Sequence, residues 1–192
     1  MMLLTELELA AEIGRHLEGL GVAWCIGGSV ASSILGIPRT TLDVDVVADL
    51  RMSHVAPLYA ALHETFYVDE DTMRWAVTTR RSFNAIHLES MIKVDVFCAK
   101  DTELARQELA RRITLDVEGR SLPVASAEDI ILQKLMWFVE AGESERQWGD
   151  ALGVVKVRGA ELDRTYLERE AARIGLTPLL ARLLAEGRDE RQ

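Results

Sequence analysis

Apolar residues at Leu3, Leu7, Ala10, Ile13 and Leu17 recur every three or four positions, so residues 3–19 are expected to form an amphipathic helix that Gly19 and Gly21 close. The run "VAWCI" at 22–26 is short, apolar and strand-prone, and it leads straight into Gly27 and Gly28. A small helix fits residues 29–35, with Gly36 as its terminator and Pro38 forbidding continuation. Alternation follows: Leu42, Val44 and Val46 face one way, Thr41, Asp43 and Asp45 the other. Residues 53–66, "SHVAPLYAALHETF", predict another helix with Pro57 near its first turn. Residues 80–100 then read as two strands joined around Glu89 and Ser90, the second alternating Ile92, Val94, Val96 and Cys98 with Lys93, Asp95 and Phe97.

Beyond a helix near 102–111, "RITLDVEGRSLPV" predicts a hairpin turning at Glu118 and Gly119. Ser126 with Asp129 makes a capping-box-like start to a helix whose Ile130, Leu132, Leu135, Met136 and Val139 are expected to be mostly core. Further helices fit residues 145–157, 163–174 and 177–186. The expected organisation is a mixed α/β core over 1–125 followed by a helical region over 126–192 packed on it.

Two of these strands carry carboxylates where apolar residues would serve a purely structural role. Period two puts Asp43 and Asp45 on one face of one strand, about 7 Å apart at Cα, and Asp95 repeats the arrangement on another strand. Like charges so placed repel and resist desolvation, and a divalent metal resolves the conflict. Aspartate oxygens suit Mg²⁺, which keeps waters and fills its shell with substrate phosphates, and three such acids fit a two-metal site for in-line displacement. Gly27 and Gly28, leaving a strand for a helix at Ser29, let the backbone approach a phosphate at the helix N-terminus.

Composition narrows the partners. The chain has 192 residues, 48% of them hydrophobic, and a formal net charge of −9, which argues against a general nucleic-acid clamp. Cys25 and Cys98 each lie in an apolar run and read as buried thiols, not a disulfide scaffold. No apolar run approaches the roughly 20 residues a membrane helix needs, and acids stand where a signal peptide would be basic, so a cytoplasmic protein without membrane contact is expected. His16, His54, His63 and His87 share no metal-ligand spacing. Arg74, Arg80, Arg81, Arg111 and Arg112 read as solvated faces, with Trp75 beside Arg74 a possible stacking surface and Trp24, Trp137 and Trp148 packing anchors.

The ordered set "GGS" at 27–29, "DVD" at 43–45 and "KVDVF" at 93–97 resembles the nucleotidyltransferase superfamily that includes DNA polymerase beta and the aminoglycoside nucleotidyltransferases. The stretch "GIPRTTLDVDVV" and the helix "PVASAEDIILQKLMWF", with Glu128 or Asp129 and Lys134, look like its abortive-infection (AbiEii-type) toxin branch. In "ERQWGDALGV", Arg146 and Asp150 supply a looser match to that branch's next helix. The resemblance covers roughly residues 20–155. It implies an α/β (α+β) nucleotidyltransferase fold, a mixed sheet flanked by helices with a helical C-terminal part. It also implies an NTP substrate, ATP included, with Mg²⁺, and transfer of a nucleoside monophosphate to an acceptor hydroxyl with release of pyrophosphate. By position, Asp43, Asp45 and Asp95 would hold the metals, with Asp95 helping to take the acceptor's proton. Gly27, Gly28 and Ser29 would bind the triphosphate, and Arg39 and Lys134 would supply charge to it.

Two other outlines compete. A dinucleotide-binding unit needs G-x-G-x-x-G and one acid at a strand end, whereas here the glycines are adjacent and two acids sit mid-strand. A non-catalytic nucleotide-binding relative would leave three mutually repelling acids unused. The acceptor stays open at this stage: tRNA or protein for a toxin with a cognate antitoxin, or a small aminoglycoside-like molecule for a resistance enzyme.

Overall fold

The alternating stretches become neighbouring strands of one sheet. A computed structural model of the chain describes residues 2–41, 43–117 and 119–189. Leu42 and Glu118, given a strand face and a turn above, lie outside the described residues, as does the side chain of Leu3. In chain order the elements are α1 (Met2–Gly19), β1 (Trp24–Ile26), α2 (Gly28–Leu35), β2 (Val44–Ala48), α3 (Met52–Leu62), β3 (Phe66–Tyr67), α4 (Glu70–Thr79) and β4 (Ser82–His87). There follow β5 (Lys93–Cys98), α5 (Glu103–Arg111), β6 (Ile113–Val117), β7 (Arg120–Val124), α6 (Ala127–Glu140), α7 (Glu145–Arg158), α8 (Arg164–Arg173) and α9 (Thr177–Asp189).

Two compact units divide the chain: Met1–Gly27 with Thr40–Ala125, and Gly28–Arg39 with Ser126–Gln192. The segment 28–39 thus groups with the C-terminal helices, although the sequence alone placed it in the N-terminal core.

The first unit holds the sheet, ordered β3-β4-β5-β2-β1-β7-β6, with β2–β5 and β1–β7 parallel and the other pairs antiparallel. Val44, Val46, Val94 and Val96 are fully buried on the apolar side, and α1 lies against β1, β2 and β5. Cys25 and Cys98 are buried and neither is in a disulfide, as expected; burial pushes the Cys98 thiol up to about 11.

Three readings are corrected here. The helix predicted over 53–66 ends at Leu62, because fully buried Phe66 pairs with His87 in β3. Pro57 sits inside α3, past its first turn. The helix α4 was not read from the sequence: the Asp69 side chain accepts from Thr72 N–H at 2.7 Å, Met73, Ala76 and Val77 form its buried stripe, and Arg80 ends it in the left-handed region at φ 54°.

The second unit packs α2 against α6 and α7, and α7 against α9. Ser126 caps α6 by accepting from Asp129 N–H at 3.2 Å, and Ile130, Leu132 and Leu135 are core, whereas Val139 is 51% exposed. Gly36 allows a close approach of backbone to backbone: a Cβ there would lie 2.6 Å from Val154 N and 2.8 Å from Gly153 C. Gly36→Ala is therefore expected to lower stability by about 1–3 kcal/mol in urea unfolding, because backbone cannot move aside as a side-chain tip can.

Candidate functional site

The acids of the first unit sit where the strand register puts them. In the parallel β2–β5 pair, Asp45 is the register partner of Asp95, and Asn84 of β4 faces Asp95 from the other side. Neighbouring strands lie roughly 4.8 Å apart, so the Asp45 and Asp95 backbones are as close as a sheet allows. Asp43 precedes the first residue of β2, so it does not lie within the strand as the alternation suggested, and its side chain is exposed. The amide of Gly27 donates to the Asp45 carbonyl at 2.9 Å, which ties the end of β1 to this strand and commits that N–H.

Lys93 shares this face. Its ammonium donates to Asp95 Oδ2 at 2.9 Å and lies 3.5 Å from Asp43 Oδ1. The bond to Asp95, against burial and with the charges of Asp95 and Asp43, holds the lysine above its ordinary range. Glu6 of α1 adds a fourth acid: it is 2% exposed, its Oε2 has no hydrogen-bond partner among the described residues, and burial, then the charge of Asp43, push its carboxyl up. Among the described residues no three acid, histidine or cysteine groups are gathered closely enough to hold a metal ion as they stand. In this arrangement the Lys93 ammonium lies between Asp43 and Asp95.

The second unit gathers cations around Ser29. Gly28 opens α2 at φ 55°, a left-handed conformation suited to glycine, and its N–H donates to Gln133 Oε1 at 3.3 Å. Ser29 Oγ accepts from Arg39 Nη2 at 2.7 Å and from Lys134 Nζ at 3.3 Å. Both cations also bind Asp150: Arg39 Nε donates to Oδ1 at 2.6 Å and Nη2 to Oδ2 at 2.9 Å, while Lys134 Nζ donates to Oδ2 at 2.8 Å. Lys134 is fully buried and the Asp150 carboxylate 5% exposed, whereas Arg39 keeps 30% of its side chain in solvent. Burial alone would raise the Asp150 carboxyl; the hydrogen bonds and charges of Arg39 and Lys134 overcome it and hold it below the carboxylate range. Arg39 and Lys134 thus share the Asp150 carboxylate and the Ser29 hydroxyl at the N-terminus of α2, an end whose dipole favours an anion.

The structure therefore brings Ser29, Arg39 and Lys134 together in one unit, and in the other it sets Asp45 of β2 in register with Asp95 of β5, with Asp43 just before β2. Glu128 and Asp129, offered as the acid of α6, are used otherwise: Glu128 accepts from Asp163 N–H at 2.8 Å, and Asp129 accepts from the Tyr166 hydroxyl at 2.6 Å and the Ser126 hydroxyl at 2.5 Å. Lys93 and Gln133 were not singled out from the sequence. Lys93 could have been found by parity with Asp95, and Gln133 has no signal beyond its place beside Lys134. Arg74 pairs with Glu70 on an exposed face, as expected, whereas Arg80 departs from a solvated face: its side chain is 19% exposed and donates to the Leu50 carbonyl as well as to Asp101; Trp75 is 56% exposed, while Trp24 and Trp148 are buried.

No protein-family model matches the sequence, and no curated protein matches it. Solved structures do. A nucleotidyltransferase-like protein from Paracoccidioides brasiliensis superposes with a TM-score of 0.58 at 17% identity, over 94% of this chain and 93% of that one. The antibiotic-resistance factor ANT(2'')-Ia gives 0.55 at 15% identity, over 100% of this chain and 99% of the other. The lincosamide antibiotic adenylyltransferase LnuA, bound to lincomycin, gives 0.52 at 14% identity, over 80% and 96%. The chain thus has the nucleotidyltransferase fold: a mixed sheet with helices around it and a helical C-terminal part.

Proposed function

We propose that this chain moves a nucleoside monophosphate from an NTP to an acceptor hydroxyl, with Mg²⁺ as cofactor. The observation that carries the reading is the convergence of Arg39 and buried Lys134 on Ser29 at the start of α2. Such a site takes the triphosphate: Ser29 and the α2 N-terminus donate to its oxygens, and Arg39 and Lys134 supply the charge. Asp43, Asp45 and Asp95 fit Mg²⁺ by donor type, since all three offer hard carboxylate oxygens, and the ammonium held between two of them supports a cation on this face. When bound, the metal would lower the charge on the phosphates and make the acceptor oxygen a better nucleophile. Asp95, the least exposed acid of the pair that Lys93 bridges, receives the acceptor's proton as the acceptor oxygen bonds to the α-phosphorus and the bond to the pyrophosphate oxygen breaks.

Two acceptor classes divide the reading. A small-molecule acceptor is favoured by the likeness to two antibiotic-modifying proteins along most or all of their length. A toxin, held by a cognate antitoxin and acting on tRNA or protein, is favoured by the buried Lys134–Asp150 pair, which joins the two motifs that resemble the abortive-infection branch. Growth arrest on expression, abolished by Asp45→Asn, selects the toxin; a harmless protein that confers antibiotic tolerance selects the small molecule.

The nucleotide site is tested by thermal unfolding with each NTP, with and without Mg²⁺. A ligand held by the native state alone adds about 2.7 kcal/mol at a hundredfold excess over its Kd. Wild type is expected to gain such stability with at least one NTP only when Mg²⁺ is present, and the Asp43→Asn/Asp45→Asn protein to gain none. Equal shifts in the two proteins would sink the metal assignment, and no shift with any NTP would leave a partner-binding protein.

A further inference from the structure

Period two puts Lys93 on the Asp95 face of β5, and the parallel register that pairs Val44 with Val94 and Asp45 with Asp95 brings Asp43 alongside Lys93. The lysine spends its charge on these two acids, 2.9 Å from Asp95 Oδ2 and 3.5 Å from Asp43 Oδ1. An ammonium and a divalent cation seek the same oxygen lone pairs, so the two compete for one place. Resting on the assignment of Asp43, Asp45 and Asp95 to a metal, we propose that Lys93 is a positioning residue, the built-in counter-ion of the acidic face, and that a divalent cation binds by displacing it.

The surroundings allow the exchange. The Lys93 side chain is 35% exposed and that of Asp43 55%, so the ammonium has water to move into and a flexible four-carbon stem on which to swing. Asp95, at 16%, is the acid least able to rely on solvent, and it is the one Lys93 holds more closely. Before loading, the lysine offsets the like charges of Asp43 and Asp95. Its cost falls on metal arriving alone, which must break the ion pairs for carboxylate contacts only. Metal arriving with a triphosphate brings contacts of its own, so the face favours the metal–nucleotide complex over the bare ion.

The test is calorimetric titration of the full chain with Mn²⁺ alone, for wild type, Lys93→Met, Lys93→Arg and Asp45→Asn, each checked for folding by thermal unfolding. Removing the counter-ion of two partly exposed carboxylates is expected to tighten Mn²⁺ binding roughly tenfold in Lys93→Met. Lys93→Arg should stay near wild type, and Asp45→Asn should weaken binding. Equal or weaker binding by folded Lys93→Met overturns the proposal while leaving the metal site standing. Mn²⁺ binding that is absent in every form, or indifferent to Asp45→Asn, overturns the metal assignment and the proposal with it. Wild-type protein gives a second measurement independent of any variant's folding: in ¹⁵N-labelled protein titrated with Mg²⁺, the Lys93 Nζ resonance should move from its ion-paired position to that of a solvated lysine. A resonance that stays in place while Mg²⁺ binds overturns the exchange.

Discussion

Asp150→Ala is expected to destabilise the helical unit by about 3–5 kcal/mol in denaturant unfolding, because it leaves a buried charge without its partner. The charge is Lys134, fully buried and 2.8 Å from Asp150, with Arg39 bound to the same carboxylate at 2.6 Å. Adding Lys134→Met to Asp150→Ala should return much of the loss, since a buried methionine needs no counter-charge. The sign of the pH effect follows from the direction in which Asp150 is held. Its carboxyl lies below the ordinary range in the folded chain, so its stabilisation is complete above the unfolded-state value and is lost as pH falls through the folded one. The stability difference between wild type and Asp150→Asn should accordingly be largest near neutral pH and shrink in strong acid. A difference that grows toward acid would overturn the ion-pair account.

Asp45→Asn should do the reverse, removing activity and sparing the fold. The substitution keeps the shape of a residue on a sheet strand, so the melting temperature is expected to hold. If Asp45 holds the metal as proposed, transfer of labelled nucleoside monophosphate should fall by on the order of a thousandfold, matching the several kcal/mol that a metal contributes to the transition state. Loss of stability in step with loss of activity would mean that Asp45 serves the sheet and not the chemistry. The two substitutions thus separate an acid that serves the fold from one assigned to the chemistry.

Much of this was legible in the sequence because it follows from period and punctuation. The strands carrying Asp45 and Asp95 show as alternation, α6 shows through Ser126 and its apolar spacing, and the Gly27–Gly28 pair marks where a strand yields to a helix. The weak segments had little local signal. Phe66 continues the apolar spacing of α3, and only its pairing with His87 makes it a strand. Helix α4 depends on the Asp69 cap, which a short polar run did not advertise. Val139 fits the apolar spacing of α6 yet faces solvent, because the neighbour that would have covered it is set by packing and not by period.

What the sequence determined by itself is most of the strands and helices, β3 and α4 excepted, and the presence of three aspartates and a glycine pair at spacings that suit a nucleotide and a metal. Local geometry fixes these, since which side of a strand a residue takes depends only on its parity. What the tertiary structure alone decided is which charges meet. Arg39 and Lys134 stand 111 and 16 positions from Asp150, yet both bind its carboxylate and the Ser29 hydroxyl. Asp43 and Lys93 come together only because β2 and β5 run parallel in one register. Charge pairing acts through a few ångströms of space and not along the chain, so it is read only when the strands and helices have been set beside one another.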